Sequence, residues 1–225
     1  MAHFVPARMN QPTFLIRSSR LLALLGASVA GTASALTVSI GTQHFTEGQI
    51  VTSAAFTTAV TGQPAPFDSI KGGDVAGPDF ASAWTFNYAA QGAGTVSAAT
   101  LTLGLWDGDT AASGSQLSLL QMDAVVFTSL ADAVFEATPG AQGQYRVYTI
   151  NLPPALLASL EDGVAAVTFN LKGPGLGVAG ETTNNGAGLD FARLVINPVP
   201  EPSSSSAALA AAGLLLLQRR RTARA

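Results

Sequence analysis

Apolar residues are distributed along this chain in two ways. At the two ends they run together: residues 21–29 are nearly all Leu, Ala or Val, and residues 207–217 are all apolar or small. Between these blocks they alternate with polar residues at period two, the signature of half-buried strands. Trp84, Phe86 and Tyr88 share one face of an extended segment, with Thr85 and Asn87 on the other. In 100–106, Leu101, Leu103 and Leu105 face one way and Thr100, Thr102 and Gly104 the other. Segments 145–152, 164–171 and 189–196 also read as strands, with further candidates at 36–40, 49–60 and 116–127. Turn clusters separate them: Gly62-Gln63-Pro64, Lys71-Gly72-Gly73-Asp74, Asp107-Gly108-Asp109, Gly173-Pro174-Gly175 and Asn184-Asn185-Gly186. Short helices are predicted over 129–136 and over 154–160, the second with proline at a favourable first position. About eight strands with closely spaced turns predict an all-β fold, a single β-sandwich of jelly-roll type. No long amphipathic helix separates two strands, which argues against a parallel α/β sheet.

The apolar blocks set the domain organisation. Residues 1–35 read as a secretory signal peptide. Arg17 and Arg20 close a positive region, the apolar core follows, and Ala33-Ser34-Ala35 places small residues at the two positions a signal peptidase reads. Cleavage after Ala35 makes Leu36 the first mature residue; Met9 offers a second start that shortens the positive region. Residues 36–197 form the folded domain, and 198–225 a separate tail. In that tail Val199-Pro200-Glu201-Pro202 makes a stiff break, Ser203, Ser204, Ser205 and Ser206 a polar spacer, 207–217 a hydrophobic segment, and Arg219, Arg220 and Arg221 a basic stop. Arginines stay on the cytoplasmic side, so the tail pauses in the membrane with the domain outside. Leucines 214–217 are consecutive, which does not suit an amphipathic helix of the domain itself.

The order Pro-Glu-Pro, apolar helix, arginine cluster at the extreme C-terminus resembles the PEP-CTERM sorting signal of bacterial exosortase substrates. The resemblance covers the chain from Pro198 onward. It implies recognition by an exosortase, clipping near Pro200-Glu201-Pro202, and release or attachment at the surface of a Gram-negative cell that makes exopolysaccharide. The apolar stretch 207–217 is shorter than the ~20 residues of a full span, so insertion is transient. The middle region resembles lectin-like and galactose-binding-like β-sandwiches. The residues that carry this are Ala83-Trp84-Thr85-Phe86, Leu101-Thr102-Leu103-Gly104-Leu105-Trp106-Asp107 and Gly188-Leu189-Asp190-Phe191. That likeness implies fold more than ligand.

Charge narrows the partners. Of 11 Lys and Arg and 14 Asp and Glu, only Lys71, Arg146, Lys172 and Arg193 lie in 36–197, against 13 acids, for a charge of −9. Four scattered cations make no footprint for nucleic acid, and the acidic surface repels anionic lipid. Divalent cations and neutral glycans stay open. Cysteine is absent, which excludes disulfides, thiolate metal sites and thiol nucleophiles.

Chemistry is sparse. His44 is the one histidine of 36–197, so any Ser-His-Asp arrangement must use it, yet no G-x-S-x-G elbow is present. In its Thr/Gln-rich segment it reads as a surface or strand residue. Glycoside hydrolysis needs two carboxylates held across a cleft, one with a raised pKa; most of the acids sit in Gly-rich turns. Asp107 and Asp109, flanking Gly108 at the end of a strand, offer hard oxygens to calcium if Asp74, Asp79 or Asp190 and backbone carbonyls complete the six to eight required. The alternative is that both aspartates serve side-chain-to-backbone turns. Trp106 lies on the face opposite Leu101, Leu103 and Leu105, which predicts exposure and a surface for stacking sugars; Trp84 and Tyr88 read as core. Together these features describe an exported, non-catalytic surface or matrix protein without a resident cofactor. The alternatives are a carbohydrate-binding module, with or without calcium, and a glycoside hydrolase.

Overall fold

Where alternation is strict, the chain forms strands close to the expected boundaries. The computed structural model describes residues 34–91, 94–112, 114–173 and 184–199. The signal core with Ala33, the Pro200-Glu201-Pro202 motif, the apolar tail and Arg219, Arg220 and Arg221 lie outside the described residues. In chain order the elements are β1 (Leu36–Gly41), α1 (Ser53–Val60), β2 (Ile70–Lys71), β3 (Ala81–Asn87), β4 (Val96–Trp106), β5 (Leu117–Met122), β6 (Val125–Val126), α2 (Thr128–Ala137), β7 (Tyr145–Asn151), α3 (Pro154–Leu157), β8 (Val164–Leu171) and β9 (Ala187–Pro198). Single 3₁₀ turns follow β3 and α3.

The strands make two antiparallel sheets. One runs β1-β9-β4-β7, with β2 also paired to β9; the other runs β3-β8-β5-β6. Inward side chains of both meet in one core: Trp84 and Phe86 from β3, Leu101, Leu103 and Leu105 from β4, Phe169 from β8, Leu194 and Ile196 from β9. The fold is a β-sandwich, as the alternation predicts. Tyr88 is buried with this group, as expected, and its hydroxyl donates to the Leu160 carbonyl at 2.9 Å. Both predicted helices form, the second as α3 continued by a 3₁₀ turn. Among the described residues no helix is long and apolar enough to cross a membrane.

Two strand expectations are corrected. Segment 116–127 is two strands, β5 and β6, turning at Asp123 and Ala124, both at positive φ (48° and 65°). The Asp123 carboxylate holds that turn by accepting the Ala166 N–H at 2.8 Å and the Ser159 hydroxyl at 3.0 Å. Segment 49–60 contains α1 instead of a strand. Thr52 caps it, its hydroxyl oxygen accepting the Ala55 N–H at 3.2 Å. Phe56 and Val60, one turn apart, bury its inner side.

That helix creates a layer the alternation does not show. Phe56, Val60, Val51, Trp106, Tyr145 and Phe191 form a second buried cluster, separate from the main core, on the outward side of the β1-β9-β4-β7 sheet. Gly104 makes room for it: a Cβ there would lie 2.2 Å from the Tyr145 hydroxyl and 2.6 Å from the Phe191 ring. Beside Gly104 the pairing of β4 with β9 shifts. Gly104 opposes Phe191 and Leu105 opposes Leu189, so Asp190 is the extra residue of a β-bulge.

Register also fixes the ends. Val96 opposes Pro198, Trp106 opposes Gly188, and Leu36 opposes Ile196. The described chain therefore enters and leaves the sandwich side by side, at the end away from Asp107.

Candidate functional site

The loops beyond Trp106 gather most of the polar groups that are buried. Asp107 and Asp109 both adopt positive φ (59° and 50°) on either side of Gly108. Asp107 is buried, and its carboxylate accepts the Gly143 N–H while its own N–H donates to the Gln144 carbonyl at 3.1 Å. Thr110, also buried, bonds the Tyr148 hydroxyl at 2.8 Å and accepts the Gly140 N–H at 2.7 Å. From the other side, fully buried Asn185 donates its amide to the Gly108 carbonyl at 3.0 Å. The turn after β2 adds Asp74, whose carboxylate accepts the Gly186 N–H at 2.8 Å.

Two clefts open between these loops, with Asp74 and Gln142 lining both. One, of ≈ 480 Å³, is lined by Asp107, Thr52, Ser53 and Trp106 as well. The other, of ≈ 370 Å³, adds Asp109, Asn184 and Gly140. The carboxylates here repel one another in a partly dry setting. Burial raises the pKa of Asp109 to about 6, with the charges of Asp107 and Asp74 adding to it. Burial also raises that of Asp107; the Gly143 N–H works against this and Asp74 with it.

The expected site residues are thus only partly brought together. Asp107, Asp109 and Asp74 share the clefts. Asp79 does not line them; its carboxylate fixes the loops by accepting the N–H groups of Asn185 at 2.9 Å and Gly173 at 3.1 Å. Asp190 lies in the bulge and is engaged elsewhere. Among the described residues no group of three or more acids or histidines is arranged to hold a metal ion. Val199 is described; its N–H donates to the Thr95 carbonyl at 2.7 Å, and Ala35 directly precedes β1.

Trp106 is corrected. It does face away from the Leu101, Leu103 and Leu105 row, but α1 covers that face. The ring stacks on Phe56 at 5.1 Å between centroids, its N–H donates to the Val51 carbonyl at 2.8 Å, and 5 % of the residue is exposed. A sugar cannot stack on it without displacing the helix.

His44 is the residue the sequence reading undervalued. It lies just past β1, and its ring Nδ1 is 2.6 Å from one oxygen of Asp190; its backbone N–H donates to the other oxygen at 2.8 Å. Asp190 is fully buried and the His44 ring a quarter exposed. The Tyr145 hydroxyl is held protonated by burial first and then by the Asp190 charge. An imidazole oriented by a buried carboxylate is half of a nucleophile-activating arrangement; among the described residues no hydroxyl bonds the ring to complete it. No protein-family model, curated protein or solved structure matches this chain.

Proposed function

We propose that the chain is an exported, non-catalytic component of the bacterial cell surface or extracellular matrix, sorted by an exosortase and associated with exopolysaccharide. The observation that carries this reading is where the folded unit stops. Leu36, the expected mature N-terminus, opens β1, and Pro200-Glu201-Pro202 follows two residues after β9 ends at Pro198. A signal peptidase acting after Ala35 and an exosortase acting at the motif would flank the sandwich without cutting a strand. Leu36 opposes Ile196 and Trp106 opposes Gly188, so both expected cleavage points adjoin the end of the sandwich opposite the acidic clefts. The strand order supports the jelly-roll reading. With two-residue β2 set aside, the first, eighth, third and sixth strands are neighbours in one sheet and the second, seventh, fourth and fifth in the other. The test is mass spectrometry of both termini in fractionated cells with and without an active exosortase. Mature ends at Leu36 and near Pro200-Glu201-Pro202, outside the cell, support the reading; a cytosolic chain with both ends intact refutes it.

The clefts favour a second reading, glycan hydrolysis. Asp109 with a raised pKa suits a general acid, and Asp74, which lines the same cleft, a base or nucleophile. Incubation with the producing cell's exopolysaccharide, with and without calcium, separates the alternatives. New reducing ends that vanish in Asp109→Asn support hydrolysis. Retention without cleavage supports a carbohydrate-binding module, calcium-supported if the ion is required.

A further inference from the structure

We propose that the open edge of β3 pairs with β3 of a second copy of this chain, antiparallel, joining two four-stranded sheets into one. This inference does not depend on export or sorting.

The free sides of the sheets are treated unequally. At β7 the chain covers its own edge. The Gly48 N–H donates to the Tyr145 carbonyl at 2.9 Å, the Tyr145 N–H to the Gln49 carbonyl at 2.8 Å, and Glu47 takes both the Val147 N–H and the Arg146 guanidinium. At the far side of the other sheet β6 is only two residues long. These are familiar ways of blunting an edge. β3 has none of them. It is seven residues long, pairs with β8 alone among the described residues, and keeps one register from Ala81 opposite Asn170 to Asn87 opposite Val164, without a bulge. Ala81-Ser82-Ala83-Trp84-Thr85-Phe86-Asn87 contains no charge, no proline and no glycine. β1, packed across from β3 on the same flank, is also uncharged.

The hydrogen-bonding phase says which groups are free. The Phe80 carbonyl accepts from Leu171 and the Tyr88 N–H donates to Gly163, so even-numbered residues of β3 face β8. The N–H and carbonyl groups of Ala81, Ala83, Thr85 and Asn87 therefore point to the open side. Their side chains are exposed, small and uncharged, so nothing at the seam repels an identical strand even though region 36–197 carries −9. The edge is also its own complement. With Trp84 on the two-fold axis, Ala83 of one copy opposes Thr85 of the other and Ala81 opposes Asn87. Each such pair joins residues whose free groups face outward. A closed, isologous dimer results.

Light scattering of the full chain and amide exchange over 81–87 test this. The expected result is twice the monomer mass, with the edge amides protected at high concentration and exposed on dilution. Ala83→Pro removes a free N–H without touching the β8 ladder, and Thr85→Lys places a charge on the seam; both should yield monomers. Both leave the chain ends unchanged, so association through those ends would persist in them. If Ala83→Pro lowers the melting temperature, Thr85→Lys carries the test. A wild-type chain monomeric at all concentrations overturns the proposal. So does a dimer that survives both substitutions, and so does protection independent of concentration, which would put another segment of the same chain on the edge.

Discussion

Asp190 and Asp109 lie near the same end of the β4–β9 pair, and the surroundings of the two carboxylates differ in kind. Asp190 is fully buried, yet a histidine ring and a backbone N–H meet its two oxygens. Asp109 is less deeply placed, and its nearest charges are two more carboxylates. Burial therefore does not by itself mark a functional group. One of these carboxylates has a hydrogen-bonding partner at each oxygen; the other faces like charges beside an open cleft, and burial and those charges together displace its pKa upward.

Four substitutions press on that contrast. The largest effect is expected from Trp106→Ala. It empties the layer between α1 and the sheet, which also lines the cleft of Asp74 and Asp107, and should cost about 3–5 kcal/mol in urea unfolding. His44→Ala leaves the Asp190 charge buried without its ring partner, at about 3 kcal/mol. Adding Asp190→Asn should recover part of that loss in a double-mutant cycle; no coupling would mean the two do not act as a pair. Asp109→Asn should act in the opposite direction and least. Its folded-state pKa is raised from 3.8 to about 6, so the folded chain binds more protons than the unfolded one between those values. Stability falls as pH rises through that window and stays lower above it. The substitution should remove that slope and raise neutral-pH stability by about 1–2 kcal/mol, since partial contact with water screens the charge. Thermal melts from about pH 3.5 to about pH 7.5, spanning the window from 3.8 to about 6, check it; an unchanged slope would place Asp109 among ordinary surface acids.

Much of the sandwich is legible in the sequence because its inner faces obey period two. Trp84 and Phe86, or Leu101, Leu103 and Leu105, point inward as their spacing demands. Trp106 shows where this ends. Alternation places it correctly on the opposite face, but says nothing of what covers that face. The covering helix is hidden because its Thr and Val content reads as strand; the signals against that are its three alanines and Phe56 and Val60 at helical spacing. The Asp190 bulge left a trace too. Inward apolar positions shift from odd, at Ala187 and Leu189, to even, at Ala192, Leu194 and Ile196, which is the slip a bulge produces. At the site, Asp107 and Asp109 could be singled out as neighbours flanking one glycine, whereas the pairing of His44 with Asp190 spans 146 positions and no local pattern encodes it.

The placement of β9 has a mechanical consequence. Its twelve residues extend for roughly 40 Å, from Ala187 beside the clefts to Pro198 beside the tail, with β1 and β4 hydrogen-bonded along its two sides. A pull between the tail and anything gripped at the clefts would run along this strand, across its hydrogen bonds and not in line with them. Those bonds would be strained together, in shear, and not peeled one after another. Tension along that axis would load the pairings of β9 with β1 and β4 at the same time.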